Sequence, residues 1–113
     1  MDKFTQSLLE LDGKWCRNPH CDRDSWIFDP HHIVFKSALG RRDSMRTDPC
    51  NGMMLCRNCH DRAHGKTKDH PRGHIFMKQI LDWWKENRHR DYRWKKAHII
   101  INGLSDKQEW RMK

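Results

Sequence analysis

Nine histidines and five cysteines carry most of the chemistry open to this chain. His31 and His32 are adjacent, and His60 and His64 lie four apart. On a helix, positions i and i+4 share a face, so the imidazoles of His60 and His64 can reach one ion. His31 would complete a three-ligand shell, which leaves positions open for water and a phosphate oxygen, as a catalytic divalent metal requires. His32 is then the candidate general base, since a neutral imidazole takes a proton from water near neutral pH and a neighbouring dication disfavours the imidazolium. In a strand, adjacent side chains point to opposite faces. For His31 and His32 both to face the ion, the chain must bend, and Pro30 supplies a cause. His70, His74, His89 and His98 are expected to be ordinary surface or core residues.

The cysteines suggest a second, separate job. Cys16 and Cys21 are separated by four residues, and Cys56 and Cys59 by two. Each pair can bite one ion, and four thiolates complete a tetrahedral zinc shell. The other readings are four unligated cysteines or a redox pair, and the latter lacks a βαβ context. Cys50 is left over, as a small buried hydrophobe or a substitute ligand; His20, beside Cys21, is expected at the surface. A zinc clip would tie the N-terminal segment to the chain just before residue 60, enclosing His31 and His32 in a loop between two anchored ends.

The elements that must position these residues follow from local patterns. Phe4, Leu8 and Leu11 recur at helical spacing and Gly13 ends the pattern. Residues 25–28 read as a strand interrupted by Pro30, with Ile33-Val34-Phe35 as an antiparallel continuation. Residues 38–49 read as a flexible basic loop containing Arg41, Arg42 and Arg46. Asn51-Gly52 marks a tight turn. Cys59 to His64 suits the first turns of a helix. Phe76, Ile80, Trp83 and Trp84 share one stripe of a helix over 74–87. Residues 88–96 interleave aromatics with cations, 98–101 are β-branched and predict a strand, and Ser105 opens a capping box with Gln108.

At 113 residues with 35% hydrophobic content, the chain fits one domain with a modest core that benefits from a metal staple. No apolar N-terminal segment and no run of roughly 20 apolar residues is present. The odd cysteine count argues against a full disulfide framework, so a reducing cytoplasm is expected. The net charge of +8 favours a polyanion partner. Most of that excess lies C-terminally: residues 61–113 carry fourteen Lys/Arg against seven Asp/Glu.

Taken together, His31-His32-Ile33, Asn51, Leu55-Cys56-Arg57-Asn58-Cys59-His60 and His64 resemble an HNH endonuclease of the ββα-metal class. The resemblance is closest to the small phage and bacterial members framed by two cysteine pairs. The nine-residue step from Asn51 to His60 and the H-x3-H spacing also resemble the colicin DNase version. The match spans about residues 16–64, leaving a basic C-terminal extension over 74–113. It implies an α+β fold, a zinc-stabilised ββα-metal core with added N- and C-terminal helices. It implies His32 as general base and Asn51 as the residue that tethers the loop between the strands and positions that base. His31, His60 and His64 would hold a catalytic Mg²⁺, Mn²⁺, Ni²⁺ or Zn²⁺, and Cys16, Cys21, Cys56 and Cys59 a structural Zn²⁺. The implied activity is DNA cleavage to 5′-phosphate and 3′-hydroxyl ends, with phage terminase or packaging proteins as possible associates. The step from His32 to Asn51 is longer than in compact members, and its extra length holds Arg41, Arg42 and Arg46 as candidates for phosphate contact. The competing expectation is a non-catalytic zinc module that binds nucleic acid or serves a packaging complex.

Overall fold

The computed structural model describes residues 1–23 and 25–104. The Ser105–Gln108 capping box lies outside them. Among the described residues there are four α-helices and one two-stranded antiparallel sheet, in an α+β arrangement. None of these helices is long and apolar enough to cross a membrane.

Helix α1 spans Lys3–Asp12, with Asp2 capping it by accepting from Thr5 N at 2.8 Å. Strand β1 (Phe28–His32) pairs with β2 (Gly52–Cys56) in the register His31↔Met53 and His32↔Gly52. Helix α2 (Arg57–Ala63) follows β2 directly, and α3 (Gly73–Asn87) and α4 (Lys95–Asn102) complete the set. Alternation along β2 sorts the core in two. Met54 faces Phe4 and Leu8 of α1, while Met53 and Leu55 face the larger cluster with Ile80, Leu81, Trp94 and Ile101.

Three expectations change. The strand is not 25–28 folding back on 33–35; Pro30 sits inside β1, opposite Met54. Ile33 N donates to Asn51 O and Arg57 N to Ile27 O, so the hydrogen-bonded pairs fall at odd positions of β1. Pro30 occupies a non-hydrogen-bonded pair on an open edge, where its missing N–H costs no ladder bond. The tight turn expected at Asn51-Gly52 falls one step earlier: Asn51 ends a 3-10 turn and Gly52 opens β2. Glycine is required there by packing, since a Cβ would lie 2.5 Å from Phe4 Cζ. Residues 98–101 are helical rather than extended, because the i, i+4 pair Ala97 and Ile101 buries against the core and overrides β-branched propensity.

The basic loop is built from 3-10 turns at Lys36–Ala38, Ser44–Arg46 and Pro49–Asn51. Asp43 and Asp48 cap the last two by accepting from Met45 N and Cys50 N. One polar knot joins segments far apart in the sequence. The buried Asp12 carboxylate accepts from Arg17 Nε, from both Nη atoms of Arg93, and from Met54 N, all within 2.9 Å.

Candidate metal centre

β1 and α2 bring His31, His60 and His64 together. One ligand atom from each lies within 4.8 Å of the others. His60 and His64 sit on one face of α2 and its C-terminal cap, with their Nε2 atoms 3.1 Å apart. A tetrahedral ion with Zn–N near 2.05 Å would set neighbouring nitrogens about 3.3 Å apart, so the spacing fits. His31 is fully buried, and neither ring nitrogen has a hydrogen-bond partner. Leaving one such group unsatisfied costs about 1–3 kcal/mol, and an ion at the centre would satisfy one of the two nitrogens. Burial, and then the nearness of His60, His64 and His32, hold the His31 pKa well below 6.5. Burial lowers that of His60 too. Both therefore present the neutral imidazole that a metal needs.

Two surrounding residues were not anticipated from the sequence. Phe35 stacks on the His64 ring at 4.6 Å between centroids. Asp29 Oδ2 stands 3.5 Å from His60 Nδ1 and accepts from Arg57 Nε at 2.7 Å. That ion pair holds the Asp29 carboxyl below its ordinary range. Strand alternation carried a signal for Asp29, which lies two residues before His31 and so on the same face.

His32 is not in this cluster. The strand does not bend at Pro30, so alternation turns His32 to the α1 side, where it stacks on Phe4 at 3.8 Å and 11° between planes. Its Nε2 lies 2.8 Å from Arg46 O. A carbonyl only accepts, so Nε2 carries the proton and Nδ1 is left with the lone pair. Burial lowers the His32 pKa.

Asn51 is fully buried and pins the chain on both sides of the basic loop. Its Oδ1 accepts from Val34 N at 2.8 Å, and its Nδ2 donates to Val34 O and Met45 O. Arg46 turns inward and donates to Lys36 O and Leu39 O. Arg41 and Arg42 are exposed.

A second cluster gathers Cys16, Cys21, Cys56 and Cys59, again within 4.8 Å. The four are free thiols, with Cys21 and Cys56 sulfurs 3.6 Å apart. A tetrahedron with Zn–S near 2.3 Å has edges of about 3.8 Å, so four sulfurs at this spacing suit a structural ion such as zinc. Burial pushes the Cys21 thiol up to about 11. The hydrogen bond with Cys16, together with burial, raises Cys59 as well. A cation at the centre reverses this by favouring thiolates. Asn18 Nδ2 and Arg62 Nη1 already point at Cys59 Sγ, at 3.4 and 3.7 Å. Cys50 and His20 stand outside the cluster. Of the histidines given no site role, His98 is buried between Asp82, at 2.7 Å, and the Tyr92 hydroxyl, and so ties α3 to α4.

Comparison with protein-family models, characterised proteins and solved structures found no match to the chain.

Proposed function

We propose that this chain is a metal-dependent DNA endonuclease of the HNH, ββα-metal type. The observation that carries the reading is the buried His31 ring, with both nitrogens unpartnered, facing His60 and His64. The order β1, β2, α2 is compatible with a ββα-metal core. An alternative zinc module that only binds nucleic acid draws on the cysteines and leaves His31 without an explanation.

A divalent ion held by His31, His60 and His64 would supply positive charge to a phosphate oxygen and to the departing 3′ oxygen. The protein's own residues do the rest. His32 Nδ1 takes a proton from water as the water oxygen bonds to phosphorus and the bond to the 3′ oxygen breaks; the 3′ oxygen takes a proton from a solvent water, giving a 5′-phosphate and a 3′-hydroxyl. Arg46 O fixes the tautomer that frees Nδ1, and Phe4 holds the ring plane. Asn51 holds the chain on either side of these contacts. His31 and His32 face opposite sides of β1, but their Cα atoms are about 3.8 Å apart. β1 is paired on one edge only, so a phosphodiester laid across its open edge would pass between His32 on one face and the ion held over the other. Arg41 and Arg42 are the loop cations open to phosphate; Arg46 serves the loop.

The test is plasmid cleavage by the zinc-loaded chain with Mg²⁺, Mn²⁺, Ni²⁺ or Zn²⁺ added. Wild type is expected to cut, and both His32→Ala and His60→Ala to lose at least about 100-fold in rate. DNA binding without cutting under every metal would remove the enzyme reading, and equal cutting by His32→Ala would remove His32 as base.

A further inference from the structure

Two tryptophans line one groove of about 430 Å³ beside the cysteine cluster, Trp26 90% exposed and Trp15 51% exposed. The volume lies within the roughly 300–1,000 Å³ of typical ligand sites. A chain with few hydrophobic residues has left two indoles to water, and clustered exposed apolar surface marks a binding face. Among the described residues lining the groove, the charged ones are Lys14 and Arg23. The Arg23 guanidinium lies 3.6 Å from the Trp15 ring centroid, in cation–π contact. Only its backbone N–H turns to the cluster, 3.3 Å from Cys21 Sγ, whereas Arg62 and Asn18 meet the sulfurs elsewhere. The groove cations are therefore not committed to the cysteines.

We propose that this groove binds a single-stranded segment of nucleic acid. Bases stack on Trp26 and beside the Trp15–Arg23 pair, and the phosphates between them meet Lys14 and Arg23. A duplex hides its base faces by stacking them on one another, so it cannot use an exposed indole; a single strand offers a π-face at every residue. A purely apolar protein partner would leave Lys14 and Arg23 without a counter-charge, whereas a phosphate backbone supplies one. Phe28 and Cys56 line the groove, whereas Asp29, on the opposite face of β1, pairs with Arg57 beside His60. Binding in the groove does not rest on the nuclease reading.

The experiment is fluorescence anisotropy of the full zinc-loaded chain, without added divalent metal. The probes are a labelled oligodeoxythymidine of about 12 nucleotides, within the usual site sizes for such binding, and a hairpin duplex of similar length. Trp26→Ala is expected to weaken single-strand binding about fivefold or more, with an unchanged melting temperature. Trp26→Phe should restore most of the loss, and Lys14→Ala should flatten the dependence of log Kd on log salt. The duplex should not distinguish wild type from Trp26→Ala. Wild-type affinity in Trp26→Ala overturns the proposal, as does an equal loss on the duplex. A wild-type dimer that Trp26→Ala converts to monomer, read by sedimentation, also overturns it and makes the groove a self-association face. A chain that binds single strands through Trp26 and cuts nothing keeps the groove and loses the nuclease. A chain that cuts while ignoring Trp26→Ala does the reverse.

Discussion

Asp29 and His60 meet across the strand–helix junction, with Oδ2 3.5 Å from Nδ1. The carboxylate is anchored from behind by both Nε and Nη2 of Arg57, so it orients the ring rather than following it. A metal-facing imidazole backed by a carboxylate keeps its proton on the far nitrogen and its lone pair toward the ion. Asp29→Asn should therefore weaken divalent-ion binding at the histidines by about 10- to 100-fold while the cysteine cluster keeps its zinc. Calorimetric titration with Ni²⁺ on zinc-loaded protein reads this directly, and an unchanged affinity would remove Asp29 from the site.

Metal removal should separate the two clusters. Chelation strong enough to strip the cysteines is expected to unfold the chain cooperatively, because ligand binding and folding share one free energy. Mild chelation should empty the histidines alone and leave the far-ultraviolet circular dichroism unchanged. Cys59→Ser should reproduce the first result. Retention of native structure without zinc would contradict a clip role for these four sulfurs.

The histidines also set a direction for pH. His31, His32 and His60 all have pKa values below the ordinary 6.5 in the folded chain. Below about pH 6.5 the unfolded chain takes up protons that the folded chain resists, so stability is full above that value and falls as pH drops toward the lowered values. The melting temperature of the mildly chelated protein, its cysteine zinc in place, should decline as pH falls below about 6.5, and His31→Phe should decline less steeply. Parallel curves for the two proteins would show that His31 contributes nothing to the slope.

Packing around Gly52 makes a sharper mutational test. Ala at this position would drive Cβ into the Phe4 ring, which also supports His32. Overpacking of this kind costs about 1–3 kcal/mol. Gly52→Ala combined with Phe4→Leu should recover part of that stability, since a smaller, flexible side chain relieves the contact. Failure of the double variant to recover, in urea denaturation, would show that the contact with Phe4 is not what requires glycine.

What was legible in the sequence was what local rules encode. The i, i+4 spacing of His60 and His64 and the two cysteine spacings are properties of short segments, and the side chains do converge. Helices α1 and α3 follow their apolar stripes to within a residue or two. What was not legible depends on partners far along the chain. Pro30 reads as a break until β2 leaves its missing donor on an open edge. Ile99 to Ile101 read as a strand until Ala97 and Ile101 find the core. His32 reads as a neighbour of the metal until an unbroken strand turns it toward Phe4. Gly52 reads as a turn until α1 occupies the space above it.

The Asp12 knot has a consequence for how the molecule comes into being. Its carboxylate and Arg93, which supplies two of its hydrogen bonds, lie 81 residues apart in the chain. Docking α1 before Arg93 is in place would bury that charge with half its hydrogen bonds missing, so the helix is held back until Arg93 arrives. Closing a loop of this length costs chain entropy before the contact repays it. A nascent chain stopped before Arg93 would thus hold its cysteine pairs and α2 while α1 remains undocked. Phe4 would not yet press on His32, and the protein would acquire its metal-binding groups before the ring that is proposed to act beside them is set in place.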